Sequence, residues 1–273
     1  MPEGPEIRLA ADRIARVLVG QTITDIEFGL PRLRRFRKRL VGTKVTAVDT
    51  RCKAMLSRFG NGLAMYSHNL LYGRWYAVRR PLLPDTRRQL RVALHTETHS
   101  ALLYSASDIE ILTDRQLARH PFLLRLGPDI LDRELDADSI AARLEQSRFR
   151  NRALGALYLD QAFLAGVGNY LRSEILWHSG LGPWHRPSAL DDADRRRLGR
   201  STIAISRRSY RTRGVTVAPS LAQALRQEGQ GYDGYRFYVF GREGLPCREC
   251  GTRIERQLMG SRSIFVCTTC QPR

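Results

Sequence analysis

The chain has 273 residues, 42% of them hydrophobic, and carries 45 Lys+Arg against 27 Asp+Glu for a formal net charge of +18. Length and apolar content predict a folded protein of more than one domain. The charge is hard to reconcile with a small-molecule enzyme and fits a polyphosphate partner, although composition alone leaves a ribosomal or membrane-surface protein open. No run of 18 apolar residues and no signal-peptide pattern occurs, so a cytoplasmic setting is expected.

The N-terminal stretch is Met1-Pro2-Glu3-Gly4-Pro5-Glu6. Trimming of Met1, which a small second residue permits, would leave a secondary amine with a carboxylate beside it. A terminal amine of pKa about 7.7–8.0 is neutral in roughly a tenth of molecules at pH 7, against about one in 2,500 for a lysine at about 10.4. Condensation of that amine with a sugar C1 gives an iminium that is cationic without further protonation, an electron sink for elimination. The plainer alternative is a capped helix start, with Pro5 at the first helical position and Glu6 at the positive end of the dipole.

From Pro5 to Val19, Ile7, Ala11, Ile14 and Leu18 recur at helical spacing before Gly20. Seven short strands are expected next, at 22–28, 44–50, 54–59, 62–67, 74–79, 89–96 and 100–105, and repeated antiparallel pairing predicts a β-sandwich. The basic run 31–39 is dense enough to bind phosphate and equally suits a solvated helix face. A boundary is expected between His120 and Asp132, where Gly127-Pro128-Asp129 punctuates the pattern. Helices follow: one capped by Asp138, then 152–162, 169–178 and 190–208. The stretch 214–235, with Gly229, Gly231 and Gly234, reads as a mobile loop.

Four of the five cysteines fall in the last 27 residues, as Cys247-x-x-Cys250 and Cys267-x-x-Cys270 with 16 residues between. That spacing predicts one tetrahedral four-thiolate Zn2+ site, closed and therefore structural, on a hairpin carrying Arg253, Arg256 and Arg262. The segment 160–170 reads as a helix, a Gly166-Val167-Gly168 turn and a second helix capped by Asn169, a phosphate clamp or a plain helical hairpin.

Met-Pro-Glu-Gly-Pro-Glu, the segment from Gln161 to Tyr170, and the four-cysteine finger with Arg262 ahead of Phe265-Val266-Cys267 together resemble the formamidopyrimidine-DNA glycosylase/endonuclease VIII family. Tyr66-Ser67-His68-Asn69, Tyr104 to Asp108 and Phe149-Arg150-Asn151-Arg152 look closest to its endonuclease VIII branch. The resemblance implies an α+β multidomain fold: an N-terminal β-sandwich domain over 1–125, a helix–two-turn–helix domain over 126–240, and a zinc finger over 241–273, with DNA in a basic cleft. It implies a monomeric, bacterial, nucleoid-associated base-excision-repair enzyme, a bifunctional DNA glycosylase and abasic-site lyase acting on oxidised pyrimidines in double-stranded DNA by β,δ-elimination.

By the same resemblance Pro2 is the nucleophile, Glu3 the proton donor and acceptor, and Glu6 a second carboxylate. Lys53 assists β-elimination, Arg262 assists δ-elimination, and Arg125 and Asn169 hold the DNA backbone. Leu70, Leu71 and Tyr72 match the loop that fills the void left by the extruded nucleotide, a place that calls for apolar wedges; for one of the three, plain strand core is the favoured reading. The chain departs from that branch at Leu70, where a glutamine is usual, at Cys52, where a glycine is usual, and in the length of 214–235, which is closer to the oxidised-purine branch. Excision of oxidised purines and a non-catalytic lesion-binding protein are the alternatives.

Overall fold

A computed structural model describes residues 2–272, and Met1 and Arg273 lie outside the described residues. Contacts divide the chain into two units, Met1–Arg125 and Leu126–Arg273.

The first unit opens with α1 (Gly4–Leu18), whose Ile7, Ala11, Ile14 and Leu18 form its buried stripe. Strand β1 (Asp25–Phe28), a 3-10 turn Pro31–Phe36 and α2 (Arg37–Leu40) lead to β2 (Val45–Arg51), β3 (Ala54–Phe59), β4 (Leu63–His68), β5 (Arg74–Arg79), β6 (Leu90–His95), β7 (His99–Tyr104) and β8 (Asp108–Thr113); α3 (Asp114–Ala118) and α4 (Pro121–Leu124) close the unit. The strands form two four-stranded antiparallel sheets, β1-β6-β7-β5 and β2-β3-β4-β8. Alternate residues from both sheets and the α1 stripe make one apolar core, including Ile26, Val92, Leu103, Met55, Met65 and Ile111. Burial of such side chains, at about 25 cal/mol per Å² of apolar surface, is what holds the sheets face to face.

Strand β8 was not among the seven strands expected from sequence. It is an edge strand with Ile109, Ile111 and Leu112 buried, and the run Ser105-Ala106-Ser107 ahead of it hides its start. The basic run is spent partly on structure: Arg32 donates to the carbonyls of Ser107 and Ile109, and Arg37 pairs with Asp25 at 2.6 Å. Arg32 thereby covers backbone at an otherwise open sheet edge.

The second unit contains α5 (Ala137–Glu145), α6 (Leu154–Leu157), α7 (Asn169–His178), α8 (Asp192–Arg211), α9 (Pro219–Gln227), α10 (Tyr232–Tyr235), β9 (Glu255–Met259) and β10 (Arg262–Val266). Its core gathers Ile140, Leu144, Phe149, Leu171, Ile175 and Ile205 with Ile264 and Val266 of the β9–β10 hairpin. Four expectations are corrected here. The cap of α5 is Asp136, whose carboxylate accepts the Ser139 N–H at 2.7 Å, and Asp138 lies inside the first turn. The helix expected at 152–162 is a single turn, because the N–H groups of Leu154 and Gly155 go to the carbonyls of His185 and Pro183 and Asp160 closes a turn onto the Ala162 N–H. The stretch 214–235 folds into α9 and α10, with Pro219 starting α9 and Ala222 and Leu225 buried. The cap of α7 is Gly168, and Asn169 is its first helical residue.

Among the described residues no helix is long and apolar enough to cross a membrane.

Candidate active site and DNA-contact residues

Glu3 is the N-cap of α1 and is only 3% exposed. Its N–H donates to the Glu6 carboxylate at 3.0 Å, closing a capping box in which the two carboxylates hold the first turn. Gly4 rather than Pro5 is the first helical residue. Pro2 precedes this rigid turn and is half-buried.

Val19, just past α1, bridges Val45 at the start of β2, and α1 packs on β2 and β3. Fifteen helical residues and seven strand residues each span about 22 Å. The leading end of α1 and the far end of β2 therefore lie at the same end of the sandwich. That end of β2 is the two-residue turn Cys52-Lys53, closed by the Arg51↔Ala54 pair. Cys52 adopts φ +60, the left-handed region where glycine is at ease, and its thiol side is buried at 2% exposure. Lys53 is half-buried beside it.

The register Ala54↔His68↔Asp108 brings the end of β4 and the start of β8 to this same end. His68 faces Asp108 and the Lys53 ammonium, and the Phe122 ring packs edge-on at 5.4 Å. Burial, aided by Lys53 and opposed by Asp108, holds the imidazole below its usual value. Tyr66, two residues earlier, stacks on His120 at 4.4 Å and donates to Asp108 at 3.4 Å; burial raises its phenol.

Between β4 and β5 lies the turn 69–73. Leu70, Leu71 and Tyr72 are 42%, 51% and 65% exposed, whereas Asn69 is 7% exposed. All three stand out from the sandwich, so none is strand core. Arg125 is exposed, its Nε donating to the Pro121 carbonyl at 3.1 Å, which leaves its terminal nitrogens for other acceptors.

In the second unit Gln161 builds the turn ahead of α7. Its side-chain amide donates to the Leu159 and Val167 carbonyls, each at 2.9 Å, and accepts the Gly166 N–H at 3.0 Å. Gly166 has φ +102, a conformation that explains its glycine. The Asn169 side chain does not cap the helix: Nδ2 donates to the Ser263 carbonyl at 3.0 Å and Oδ1 accepts from Arg172 at 2.8 Å. Arg172, fully buried, also donates to the carbonyls of Gly155 and Ser263. Asn169 is thus tied to the residue next to Arg262. Arg262 itself is exposed at the start of β10, paired with Met259 across the Gly260-Ser261 turn.

Glu174 is wholly buried on α7. Its carboxylate accepts the N–H groups of Tyr238, Val239 and Phe240, each at 2.9 Å, and the Thr216 hydroxyl. Burial pushes its carboxyl up, while these four donors favour the charged form. Neither Arg172 nor Glu174 was singled out from sequence. A charged pair two residues apart within an otherwise apolar helix is the signal that was there to read.

The Sγ atoms of Cys247, Cys250, Cys267 and Cys270 all lie within 4.8 Å of one another, with separations of 3.9, 3.4 and 3.5 Å for three of the pairs. Tetrahedral thiolates about 2.3 Å from zinc stand roughly 3.8 Å apart, whereas a disulfide needs about 2.05 Å. The donor set therefore fits one structural zinc, with no open position for a reacting water.

Three family models match in chain order: the formamidopyrimidine-DNA glycosylase N-terminal domain over residues 1–107, the H2TH domain of the same glycosylase over 126–219, and the zinc finger found in FPG and IleRS over 244–273. The chain is 48% identical to an Escherichia coli protein named Endonuclease 8 and 46% identical to one from Klebsiella pneumoniae, in each case over 99% of this chain and all of the relative. The chain belongs to the formamidopyrimidine-DNA glycosylase/endonuclease VIII family. It is accordingly a base-excision-repair enzyme, a DNA glycosylase and abasic-site lyase. The fold agrees with that of Lactococcus lactis Fpg, solved in complex with DNA containing N7-benzyl-Fapy-dG: the TM-score is 0.82 at 20% identity, with 100% of both chains covered.

Proposed function

We propose that the enzyme removes oxidised pyrimidines from double-stranded DNA and nicks the strand through a covalent Pro2 intermediate. The observation that carries the reading is the first turn of α1, where a buried Glu3 locked to Glu6 stands directly behind Pro2, at the end of the sandwich that also bears Lys53. The Pro2 nitrogen attacks C1 of the lesion's deoxyribose while Glu3 delivers a proton to the departing base. Lys53 assists β-elimination and Arg262 δ-elimination; Asn169 and Arg125 hold phosphates. Leu70, Leu71 and Tyr72 occupy the gap left when the nucleotide rotates out, an extrusion that costs a few kcal/mol. Residues 1–125 form the catalytic domain, 126–240 the helix–two-turn–helix domain and 241–273 the zinc finger, and the enzyme works as a monomer on the nucleoid of a bacterial cell.

The preference for pyrimidines rests on the full-length likeness to proteins named Endonuclease 8. Borohydride trapping with thymine glycol and 8-oxoguanine duplexes tests both parts of the reading. A covalent adduct with the first and little with the second is expected, and weaker trapping in Pro2→Gly is required. Stronger trapping on 8-oxoguanine would assign the purine reading. The chemistry needs a free Pro2 nitrogen, so intact mass must show Met1 removed.

A further inference from the structure

The turn 69–73 is built to hold apolar side chains away from the protein. Leu70 adopts φ +49, a left-handed conformation a leucine rarely takes. The Gly73 N–H closes the turn on the Asn69 carbonyl at 2.7 Å, and a Cβ at Gly73 would lie 2.6 Å from that same oxygen, so only glycine fits. Hydrophobic surface left on such a turn is drawn back onto the sheet unless the backbone is held. Two side chains hold it. At one end the Leu70 N–H donates to His68 Nδ1 at 3.2 Å. At the other, the Arg88 guanidinium donates to the Tyr72 carbonyl.

Arg88 reaches Tyr72 from two strands away. It stands ahead of β6, where its own N–H donates to Thr86 Oγ1 at 3.2 Å and the neighbouring Gln89 carbonyl accepts the Ser105 N–H at 2.8 Å. Leu90 and Arg74 both pair with Tyr104, so the start of β6 and the start of β5 flank the same end of β7. The guanidinium spans that end of the sheet as a strut.

We propose that Arg88 is a positioning residue that keeps the Leu70–Tyr72 turn preformed for insertion into the DNA stack. The proposal rests on the wedge role assigned to that turn above. A charge-assisted tether of this kind removes the ordering step that a floppy loop would need at the moment of extrusion. It touches neither the sugar nor the base, so its effect is confined to substrates in which a stacked nucleotide has to be displaced.

The test compares Arg88→Ala, Arg88→Lys and a Leu71→Ala/Tyr72→Ala double variant under single-turnover conditions. Two substrates are used: thymine glycol in duplex DNA, and an abasic site in a single strand, where nothing is stacked opposite. For Arg88→Ala, excision from the duplex is expected to fall about tenfold, what one charge-assisted hydrogen bond supplies. Cleavage of the single strand should stay at the wild-type rate, and Arg88→Lys, which keeps a donor in reach, should recover most of the loss. A 2-aminopurine beside the lesion should report slower unstacking in Arg88→Ala. Equal slowing on both substrates, or none on either, overturns the proposal. So does a drop of about one unit in the salt dependence of DNA binding, which would make Arg88 a direct phosphate contact. If the double variant excises from duplex at full rate, the wedge reading itself fails, and that result is separate from any result at Arg88.

Discussion

In the unit Met1–Arg125 the candidate residues stand at the ends of strands, and ladder register places them: Lys53 in the β2–β3 turn, His68 at the end of β4, Asp108 at the start of β8. In the unit Leu126–Arg273 they stand where turns lead into α7 and β10, and buried charge holds those turns. Arg172 fastens Asn169 to Ser263, Glu174 gathers three successive N–H groups, and four cysteine sulfurs converge in the finger. A sheet distributes its hold over many equivalent bonds between apolar side chains. A loop-rich unit concentrates it in a few polar groups that cannot be lost singly. The two units should therefore fail differently.

The largest difference is expected from metal removal. Zinc binding in fingers of this ligand type is worth about 10 kcal/mol or more, so a strong chelator, or Cys250→Ser, should abolish strand nicking. The near-ultraviolet circular dichroism of Trp75 in the sandwich, read in a Trp177→Phe/Trp184→Phe background, should persist. Metal analysis should give one zinc per wild-type chain, and full nicking by a zinc-free sample would remove the finger from the mechanism.

Next is Glu174→Ala, which leaves three backbone N–H groups buried without their acceptor. A loss of about 3–5 kcal/mol is expected in urea unfolding, and an effect below about 1 kcal/mol would show that water or another group replaces the carboxylate. Glu3→Gln sharpens the contrast from the other side. The sandwich should remain about as stable, excision of thymine glycol should fall at least about 100-fold, and nicking of a preformed abasic site, where no base has to leave, should be much less affected.

His68 gives a smaller, pH-dependent effect. Its folded pKa lies below 6.5, so the unfolded chain binds more protons as pH falls past that value. The stability carried by the neutral ring is present above pH 6.5 and is lost as pH falls through the depressed folded value. Wild-type and His68→Gln unfolding curves compared at pH 5 and pH 7.5 should show a smaller pH dependence in the variant. The smallest effect is reserved for surface ion pairs: Arg58→Ala, which removes the exposed 2.9 Å pair with Asp114, should change stability by under about 1 kcal/mol.

Much of this was legible along the chain. Helical spacing located α1, alternation located seven strands of the sandwich within a few residues, and the two Cys-x-x-Cys pairs specified a metal by spacing alone, because each feature is written in residues close together. The eighth strand was hidden by the serines before it, and α9 by the glycines after it. Asn169 was read as a helix cap, yet its side chain is recruited by Arg172 and Ser263, the latter more than ninety positions away.

The sequence by itself determined which groups are proposed to act here: a proline followed by a carboxylate, four thiols spaced to hold a structural metal, and an excess of guanidinium. Only the tertiary structure decided how those groups are held. The strut from Arg88 to Tyr72 and the Glu174 bracket each join residues distant in the chain. A hydrogen bond of that kind is set by where two backbones meet, and local residue preferences carry no record of the meeting.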